Sequence, residues 1–321
     1  MSRADLLVNL VKAGSQNDQK LLRSTVDAIV AEERAKQHHV LAKKLEDNFK
    51  SNSSNAEVVR SFDGGHGGLL YEIEPRRTLS SLLLTDDTQQ AVLELIEEHQ
   101  RRDLLRSYSL EPRHRILLEG PPGNGKTSLA EAIAAELLIP LFVVRYEAVI
   151  GSFLGETSSR LKKLFDFART HECVLFFDEF DTLGKERGDT NETGEIKRVV
   201  SSLLLQIDSL PPHVVVITAT NHAELLDRAV WRRFQLRLSL PAPTLEQVVT
   251  WFKNFEAKVG IKLGVSSTVL AKQFKPVNFA ELEQFGEDIF RRYVLGLPSG
   301  NMKSIVNSRL HQWRKRAIPD A

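Results

Sequence analysis

The sequence is poor in cysteine and in long apolar runs. Its single cysteine, Cys173, excludes a disulfide within the chain and is typical of proteins kept in a reducing compartment. No stretch approaches the roughly 20 consecutive apolar residues of a membrane-spanning helix. The apolar run at the N-terminus is too short and too interrupted for a signal peptide. We therefore expect a cytoplasmic protein with no membrane partner.

An excess of charge of either sign is also missing. Lysine and arginine total 43 residues against 42 aspartates and glutamates, so a broad electrostatic surface for nucleic acid is disfavoured. The basic segment 313–316 closes a predicted helix, where cations complement the helix dipole. The chain has neither the H-E-x-x-H motif of zinc proteases nor the G-x-S-x-G motif of serine hydrolases. Built-in protease or esterase chemistry of these two kinds is thereby excluded.

The first part of the chain is predicted to be helical. Apolar residues repeat at helical spacing over residues 1–50, interrupted at Gly14 and weaker after Val30. Serine- and asparagine-rich and then glycine-rich segments follow up to Gly68, a composition typical of a tether. We interpret residues 1–68 as an N-terminal helical module with a flexible linker.

Alternating strands and helices follow, which predicts an α/β fold. After a helix predicted from Asp87 to Arg106, with Val92, Leu95, Ile96 and Leu104 on its apolar side, short apolar runs recur. They are RILLE (115–119), LFVVRY (141–146), CVLFF (173–177), VVVITA (214–219) and QLRLSL (235–240). Continuous apolar strands separated by helices are typical of a parallel sheet covered on both faces.

After Pro241 the pattern becomes helical, with helices predicted at 244–257, 266–273, 278–295 and 302–316. We interpret this segment as a small helical lid followed by a C-terminal helix. The predicted domains are thus 1–68, 69–241 and 242–321.

A glycine-rich segment between a strand and a helix carries the strongest chemical signal. It consists of Gly120, Pro121, Pro122, Gly123, Asn124, Gly125, Lys126 and Thr127, and Ser128 continues into the helix. Glycines let backbone N–H groups surround phosphate oxygens, and the helix N-terminus adds positive potential. Lys126 is predicted to reach the β- and γ-phosphates of ATP, and Thr127 to give its hydroxyl to Mg²⁺.

Polar residues close two neighbouring apolar strands. Asp178 and Glu179 follow CVLFF, at the strand end where ligands bind in open α/β sheets. Asp178 suits the Mg²⁺ shell, and Glu179 suits a general base that polarises the attacking water. Asn221 ends the strand VVVITAT and is a candidate for orienting that water, although asparagine is also common where a turn begins.

These motifs together resemble an AAA ATPase over roughly residues 70–318, most closely the branch that contains katanin and spastin. GPPGNGKT is similar to the family's GPPGTGKT, with Asn124 in place of threonine at a position that contributes mainly its backbone. Further similar segments are SFLGETSSRLKKLFDFAR, FFDEFDTLGKERG, ITATN, LLDRAVWRRF and PVNFAELEQF. A departure is Asn278-Phe279, which stands where the family usually has Ser-Gly and makes the lid surface bulkier.

The resemblance implies an AAA-type five-stranded parallel sheet sandwiched by helices, a helical lid, and a ring, usually a hexamer, that uses ATP and Mg²⁺. Phe153, Leu154 and Gly155 would line a central pore and grip a polypeptide. Arg232 and Arg233 would reach the γ-phosphate bound by the neighbouring subunit, where a cation stabilises transition-state charge.

Two functions follow as hypotheses. The first is an ATP-driven ring that remodels or unfolds protein substrates through its pore. The chain also resembles small bacterial AAA proteins encoded beside a subtilisin-like protease, so a separately encoded protease is a candidate partner. The second is an ATP-dependent nucleic-acid machine for replication, plasmid maintenance or transposition, which the balanced charge disfavours.

Overall fold

The computed structural model describes residues 60–61, 68–145, 154–181, 193–226, 228–274, 278–297 and 301–316. The predicted N-terminal helices lie outside these residues. Within the described ranges, no helix has the length and apolar character needed to cross a membrane.

A seven-stranded sheet forms the centre of the fold. Its strands are β1 (Arg60–Ser61), β2 (Leu70–Ile73), β3 (Arg115–Glu119), β4 (Leu141–Val144), β5 (Cys173–Phe177), β6 (Val214–Thr220) and β7 (Leu236–Ser239). In space they follow the order β1-β2-β4-β5-β6-β3-β7. The last five of this order pair in parallel, which confirms the predicted five-stranded parallel sheet.

The strands were predicted well where they are apolar throughout. β3 and β5 have the predicted bounds, because helices cover both faces and every position favours an apolar residue. β4 ends at Val144, two residues before the predicted end. β1 and β2 were not predicted: they extend the sheet by antiparallel pairing beyond β4, and β2 alternates too briefly to mark a strand.

Helices cover the two faces of the sheet. Those of this part of the chain are α1 (Asp86–Gln100), α2 (Arg102–Ser107), α3 (Lys126–Leu137), α4 (Leu154–Arg169), α5 (Thr193–Asp208) and α6 (Arg228–Trp231). On one face α1 and α3 bury Leu95 and Ile133 against Ile116, Phe176 and Ile217. The opposite face is covered by α4 and α5, which pack against the alternate strand positions, such as Leu175. Alternate side chains of each strand thus enter different cores.

The prediction of one helix from Asp87 to Arg106 is wrong in one respect: this segment forms two helices. α1 ends at Gln100, and Arg101 has φ −108° and ψ 26°, outside the helical region. The bend carries α2 away from the sheet, so Leu104 is 46% exposed rather than on the apolar side. Thr85 caps the start of α1 by accepting the backbone N–H of Thr88.

The C-terminal helices enclose a core of their own. They are α7 (Leu245–Val259), α8 (Ser267–Gln273), α9 (Phe279–Leu295) and α10 (Met302–Arg316), within two residues of the predicted bounds. Thr244 and Asn278 form capping boxes at the starts of α7 and α9, which fixes where these helices begin. The centre is filled by the rings of Phe252, Phe274, Phe285 and Trp313. The centroids of Phe274 and Phe285 lie 4.4 Å apart. The division of the chain at residues 241 and 242 stays a prediction.

The lone cysteine lies in the parallel sheet. Cys173 begins β5 and is fully buried. Burial raises the pKa of its thiol to about 12, because the thiolate would lose its hydration. At neutral pH the group is a protonated thiol and acts as a small apolar core residue.

Candidate functional site

A cavity of about 320 Å³ opens between the carboxyl ends of the parallel strands and the first turn of α9. The glycine-rich loop after β3, the acidic pair after β5 and Asn221 after β6 all contribute to its wall. Because β3, β5 and β6 are parallel, their carboxyl ends meet at one edge of the sheet, which brings these distant residues together.

The glycine-rich loop has the backbone that the motif predicts. Gly120, Gly123 and Gly125 have φ of 144°, 77° and 84°, values that residues with a Cβ adopt rarely. The loop then enters α3 at Lys126. Lys126, Thr127 and Ser128 of its first turn line the cavity, and the unpaired N–H groups of a helix start stabilise an anion.

Gly120 permits a close approach of the loop to the chain that follows β7. A Cβ at this position would lie 2.2 Å from the backbone oxygen of Leu240. We expect Gly120→Ala to lower the free energy of unfolding by about 2–4 kcal/mol, as both the backbone conformation and the contact become unfavourable. Thermal unfolding measures this. Gly260→Ala is the matched control: φ there is 70°, no atom lies within 4 Å, and we expect a loss of only about 1 kcal/mol. Equal losses in both variants would show that the contact with Leu240 carries no energy.

Lys126 is buried at the centre of the site. Its ammonium donates to the backbone oxygens of Gly120 and Pro121 and to Asn221 Oδ1, at 2.7, 3.1 and 2.6 Å. Burial lowers the pKa of the ammonium, and the carboxylates of Asp178 and Asp181 partly offset this effect. The structure therefore places the hydrogen-bonded ammonium of Lys126 beside the amide of Asn221, which was predicted to orient the attacking water.

Thr127 and Asp178 lie next to each other, as a shared Mg²⁺ site requires. The Thr127 hydroxyl donates to Asp178 Oδ2 at 3.3 Å, and the other carboxylate oxygen accepts the N–H of Glu179 at 2.9 Å. Both side chains line the cavity. Hydroxyl and carboxylate oxygens are the ligands that Mg²⁺ prefers.

Glu179 is exposed to the cavity in an unfavourable backbone conformation. Its φ is 48°, in the left-handed region, which costs a residue with a side chain about 1–2 kcal/mol. The following residue, Phe180, returns to the sheet by donating its N–H to Ala219. The turn therefore directs the carboxylate of Glu179 away from the core, and such strain is frequent at functional positions.

Asp181 is a site residue that the sequence analysis missed. It is 2% exposed, and its Oδ1 accepts the Thr220 hydroxyl at 3.0 Å and the Asn221 N–H at 3.3 Å. The carboxylate fixes the backbone from which the Asn221 amide reaches Lys126. Its position in the acidic stretch after β5 was the available signal, but only the fold shows that it faces β6.

The side chain of Asn124 is buried, at a position that was predicted to contribute mainly its backbone. The side chain is 4% exposed, and its Nδ2 donates to the Pro121 oxygen at 3.4 Å. It lies against a second, smaller cavity together with Gln247 and Phe279. The amide therefore supports the loop from beneath and packs towards the C-terminal helices.

The C-terminal helices contact the loop directly. The backbone N–H of Ala280, in the first turn of α9, donates to the Gly123 oxygen at 2.9 Å. The side chain of Asn278 occupies the space where a Cβ of Gly123 would lie. Trp251 and Phe279 add an apolar wall opposite Leu82–Leu84, so one half of the cavity is apolar and the other polar. This division suits a nucleobase at the apolar end and phosphates at the polar end.

The two arginines predicted to act across a subunit boundary have different surroundings. Arg233 forms an ion pair with Asp208, whose other oxygen accepts from Arg115 at 2.9 Å. Arg232 is exposed, and within the described ranges no ion pair reaches it. Neither residue lines the cavity of its own chain.

The predicted pore residues are at the limit of the described structure. Phe153 lies outside the described residues. Leu154 and Gly155 begin α4.

The residues present fit a nucleoside triphosphate with a divalent cation. They provide a left-handed glycine loop, a buried lysine, adjacent hydroxyl and carboxylate oxygens, and an exposed carboxylate within one cavity. This set can bind phosphates, hold a cation and accept a proton from water.

Comparisons with known proteins agree with this geometry. The model of the family described as "ATPase family associated with various cellular activities (AAA)" matches residues 116–242. An uncharacterized AAA family ATPase, y4kL of Sinorhizobium fredii, is 34% identical over 291 residues, which cover 88% of this chain and 87% of that protein.

Longer relatives match over part of their length. The ATP-dependent zinc metalloprotease FtsH of Methylococcus capsulatus is 33% identical over 67% of this chain and 36% of its own length. A putative 26S proteasome regulatory subunit homolog of Methanothermobacter thermautotrophicus is 31% identical over 63% of this chain and 54% of its own. The chain thus spans about a third to a half of these two relatives.

Proposed function

This chain belongs to the AAA ATPases, and we propose that it assembles into a ring, most simply a hexamer, that couples ATP hydrolysis to the remodelling or unfolding of protein substrates. ATP hydrolysis follows from membership of the family. The ring, the pore and the protein substrate are parts of the proposal, as is a place in the katanin and spastin branch.

The observation that carries the proposal is the group of side chains around Lys126. The loop from Gly120 to Gly125 and Lys126 would bind the phosphates, since backbone N–H groups and a buried cation converge there. Asn221 would orient the attacking water at the γ-phosphate, since its amide oxygen lies 2.6 Å from the ammonium that would bind this phosphate. Glu179 would accept the proton of that water.

Thr127 and Asp178 would hold Mg²⁺, directly or through water, and Ser128 lies beside them in the wall of the cavity. The ion supplies neutralisation of charge on the phosphate oxygens. One carboxylate oxygen of Asp178 accepts the N–H of Glu179. The orientations of the predicted metal ligand and the predicted base therefore depend on each other.

Arg232 supports assembly into a ring. It is exposed and away from the cavity of its own chain, so a role at a phosphate requires the site of another subunit. A subunit whose transition-state charge is stabilised by its neighbour hydrolyses ATP poorly alone. Head-to-tail contacts of this kind form a ring when the rotation from one subunit to the next closes.

A protein substrate is supported by what similar proteins do. Two of the relatives are named as a metalloprotease and a proteasome regulatory subunit homolog. Phe153, Leu154 and Gly155 would contact the polypeptide. The sequence contains neither the H-E-x-x-H motif of zinc proteases nor the G-x-S-x-G motif of serine hydrolases. A separately encoded protease is therefore a candidate partner.

The test is ATP turnover in the presence of an unfolded protein. We expect the unfolded protein to raise turnover severalfold and Phe153→Ala to abolish this rise, because the aromatic grip on the polypeptide is lost. Phe290→Ala is the matched control: this phenylalanine is exposed on α9, away from the site, and we expect it to keep the rise. Stimulation by DNA and not by protein would contradict the proposal and favour the nucleic-acid machine.

A further inference from the structure

Arg77 and Glu283 form an ion pair at the solvent side of the nucleotide cavity. The guanidinium donates to both carboxylate oxygens of Glu283, at 2.8 and 3.2 Å. Both residues line the cavity, and their side chains are 41% and 46% exposed. The pair joins positions 206 residues apart in the chain. Arg77 lies outside the motifs that indicate an ATPase, and Glu283 lies in the segment PVNFAELEQF, where no role was predicted for it.

The backbone of Arg77 is held by the helix that follows the phosphate loop. Glu131 of α3 accepts the N–H groups of Arg76 and Arg77 through the same oxygen, at 2.7 and 3.0 Å. Glu131 lies five residues after Lys126 on α3. The guanidinium of Arg77 therefore extends from a base that is fixed relative to the phosphate loop.

Glu283 provides a further attachment of α9 to the core. The first is the hydrogen bond from Ala280 to Gly123, at the very start of the helix. The ion pair lies one turn further along α9 and adds a contact at the cavity to this bond and to the bonds from Gln247 of α7 to the Leu83 and Leu84 oxygens. The guanidinium hydrogen bonds to Glu283 raise the pKa of Arg77, so both bonds are charge-assisted.

We propose that the Arg77–Glu283 pair is a clasp that holds the C-terminal helices over bound nucleotide and sets how fast nucleotide leaves. The two side chains are positioning residues: they act through the orientation of α9 and not on the reacting phosphate. The proposal rests on nucleotide binding in this cavity, but it requires neither a ring nor a protein substrate.

The experiment is a double-mutant cycle on the dissociation rate of a fluorescent ADP analogue, chased with unlabelled ADP. We expect Arg77→Glu and Glu283→Arg each to raise the rate about three- to fivefold, the upper range for a partly exposed pair. The double exchange restores the opposite charges, and we expect a rate within about twofold of the unmodified chain. The bonds from Arg77 N–H to Glu131 remain in all variants, so the cycle tests the side chains alone.

A second pair on the same helix supplies the control. Arg291 and Glu287 form an exposed ion pair on α9 and do not line the cavity. Arg291→Glu and Glu287→Arg make the same changes of charge, and we expect no change in the dissociation rate. Salt gives a further readout, because screening should speed dissociation from the unmodified chain more than from Arg77→Glu.

Three results would overturn the clasp. They are single variants that release the analogue at the unmodified rate, a double exchange as fast as the faster single variant, and control variants with the same effect. Turnover under saturating ATP should change less than KM, whereas a failure of phosphate-site chemistry would lower kcat with the dissociation rate unchanged. These outcomes distinguish the clasp from the proposed motor.

Discussion

A Glu179→Gln variant is expected to bind ATP and to lose turnover by about a hundred- to ten-thousandfold, the range that a general base contributes. Glutamine keeps the size of the side chain and the backbone turn at this position, but it cannot accept the proton of the attacking water. Binding should persist because Lys126, Thr127 and the glycine loop are unchanged. Phosphate release measures turnover, and equilibrium binding of ATP measures retention.

Glu246→Gln is a suitable control for this change. Glu246 is exposed in the first turn of α7 and lies outside the cavity. The Glu246→Gln variant should turn over ATP at the rate of the unmodified chain. Normal turnover in Glu179→Gln would show that another group is the base, and loss of binding would show that the change disturbs the phosphate loop itself.

Arg232→Ala is expected to lower turnover of the assembled protein by about a thousandfold, within the range for an arginine supplied by a neighbour. ATP binding should be little affected, since Arg232 is outside the cavity of its own chain. Arg233→Ala should differ in kind: it removes the partner of Asp208 and leaves that carboxylate to Arg115 alone. We expect its main effect on thermal stability.

Mixing two inactive variants tests whether Arg232 acts between subunits. A Glu179→Gln subunit still carries Arg232, and an Arg232→Ala subunit still carries Glu179. Interfaces that combine the intact base with the intact arginine should form in the mixture and restore part of the turnover. A mixture no more active than its components would mean that Arg232 acts within its own chain or not at all.

The sequence was sufficient for features that repeat over short distances. The apolar runs of β3 and β5 predicted their bounds, because burial on both faces leaves no polar position to confuse the pattern. The helices predicted from residues 244 and 278 begin one residue later, directly after the capping boxes of Thr244 and Asn278. The positions of Lys126, Asp178 and Asn221 in one cavity followed from parallel strands, whose carboxyl ends share one edge.

Features that depend on pairing between distant segments were not predictable. Arg77 and Glu283 are 206 residues apart, and nothing in the sequence near either one selects the other as its partner. The same holds for Asp208, which sits at the end of α5 and distinguishes Arg233 from Arg232. The burial of Asn124 depends on helices that begin more than a hundred residues later. β1 and β2 need β4 to be recognised as strands.

The tryptophans give this chain built-in optical reporters. Trp251 lies in the wall of the nucleotide cavity, stacked on Phe255 with centroids 5.3 Å apart. Trp231 immediately precedes Arg232 and lies under the Arg237 guanidinium, and Trp313 packs in the core of the C-terminal helices. Because the sequence has only these three, replacing two by phenylalanine leaves one emitter. Nucleotide entry, subunit contact and loosening of the helices can then be followed separately by fluorescence, without an attached dye.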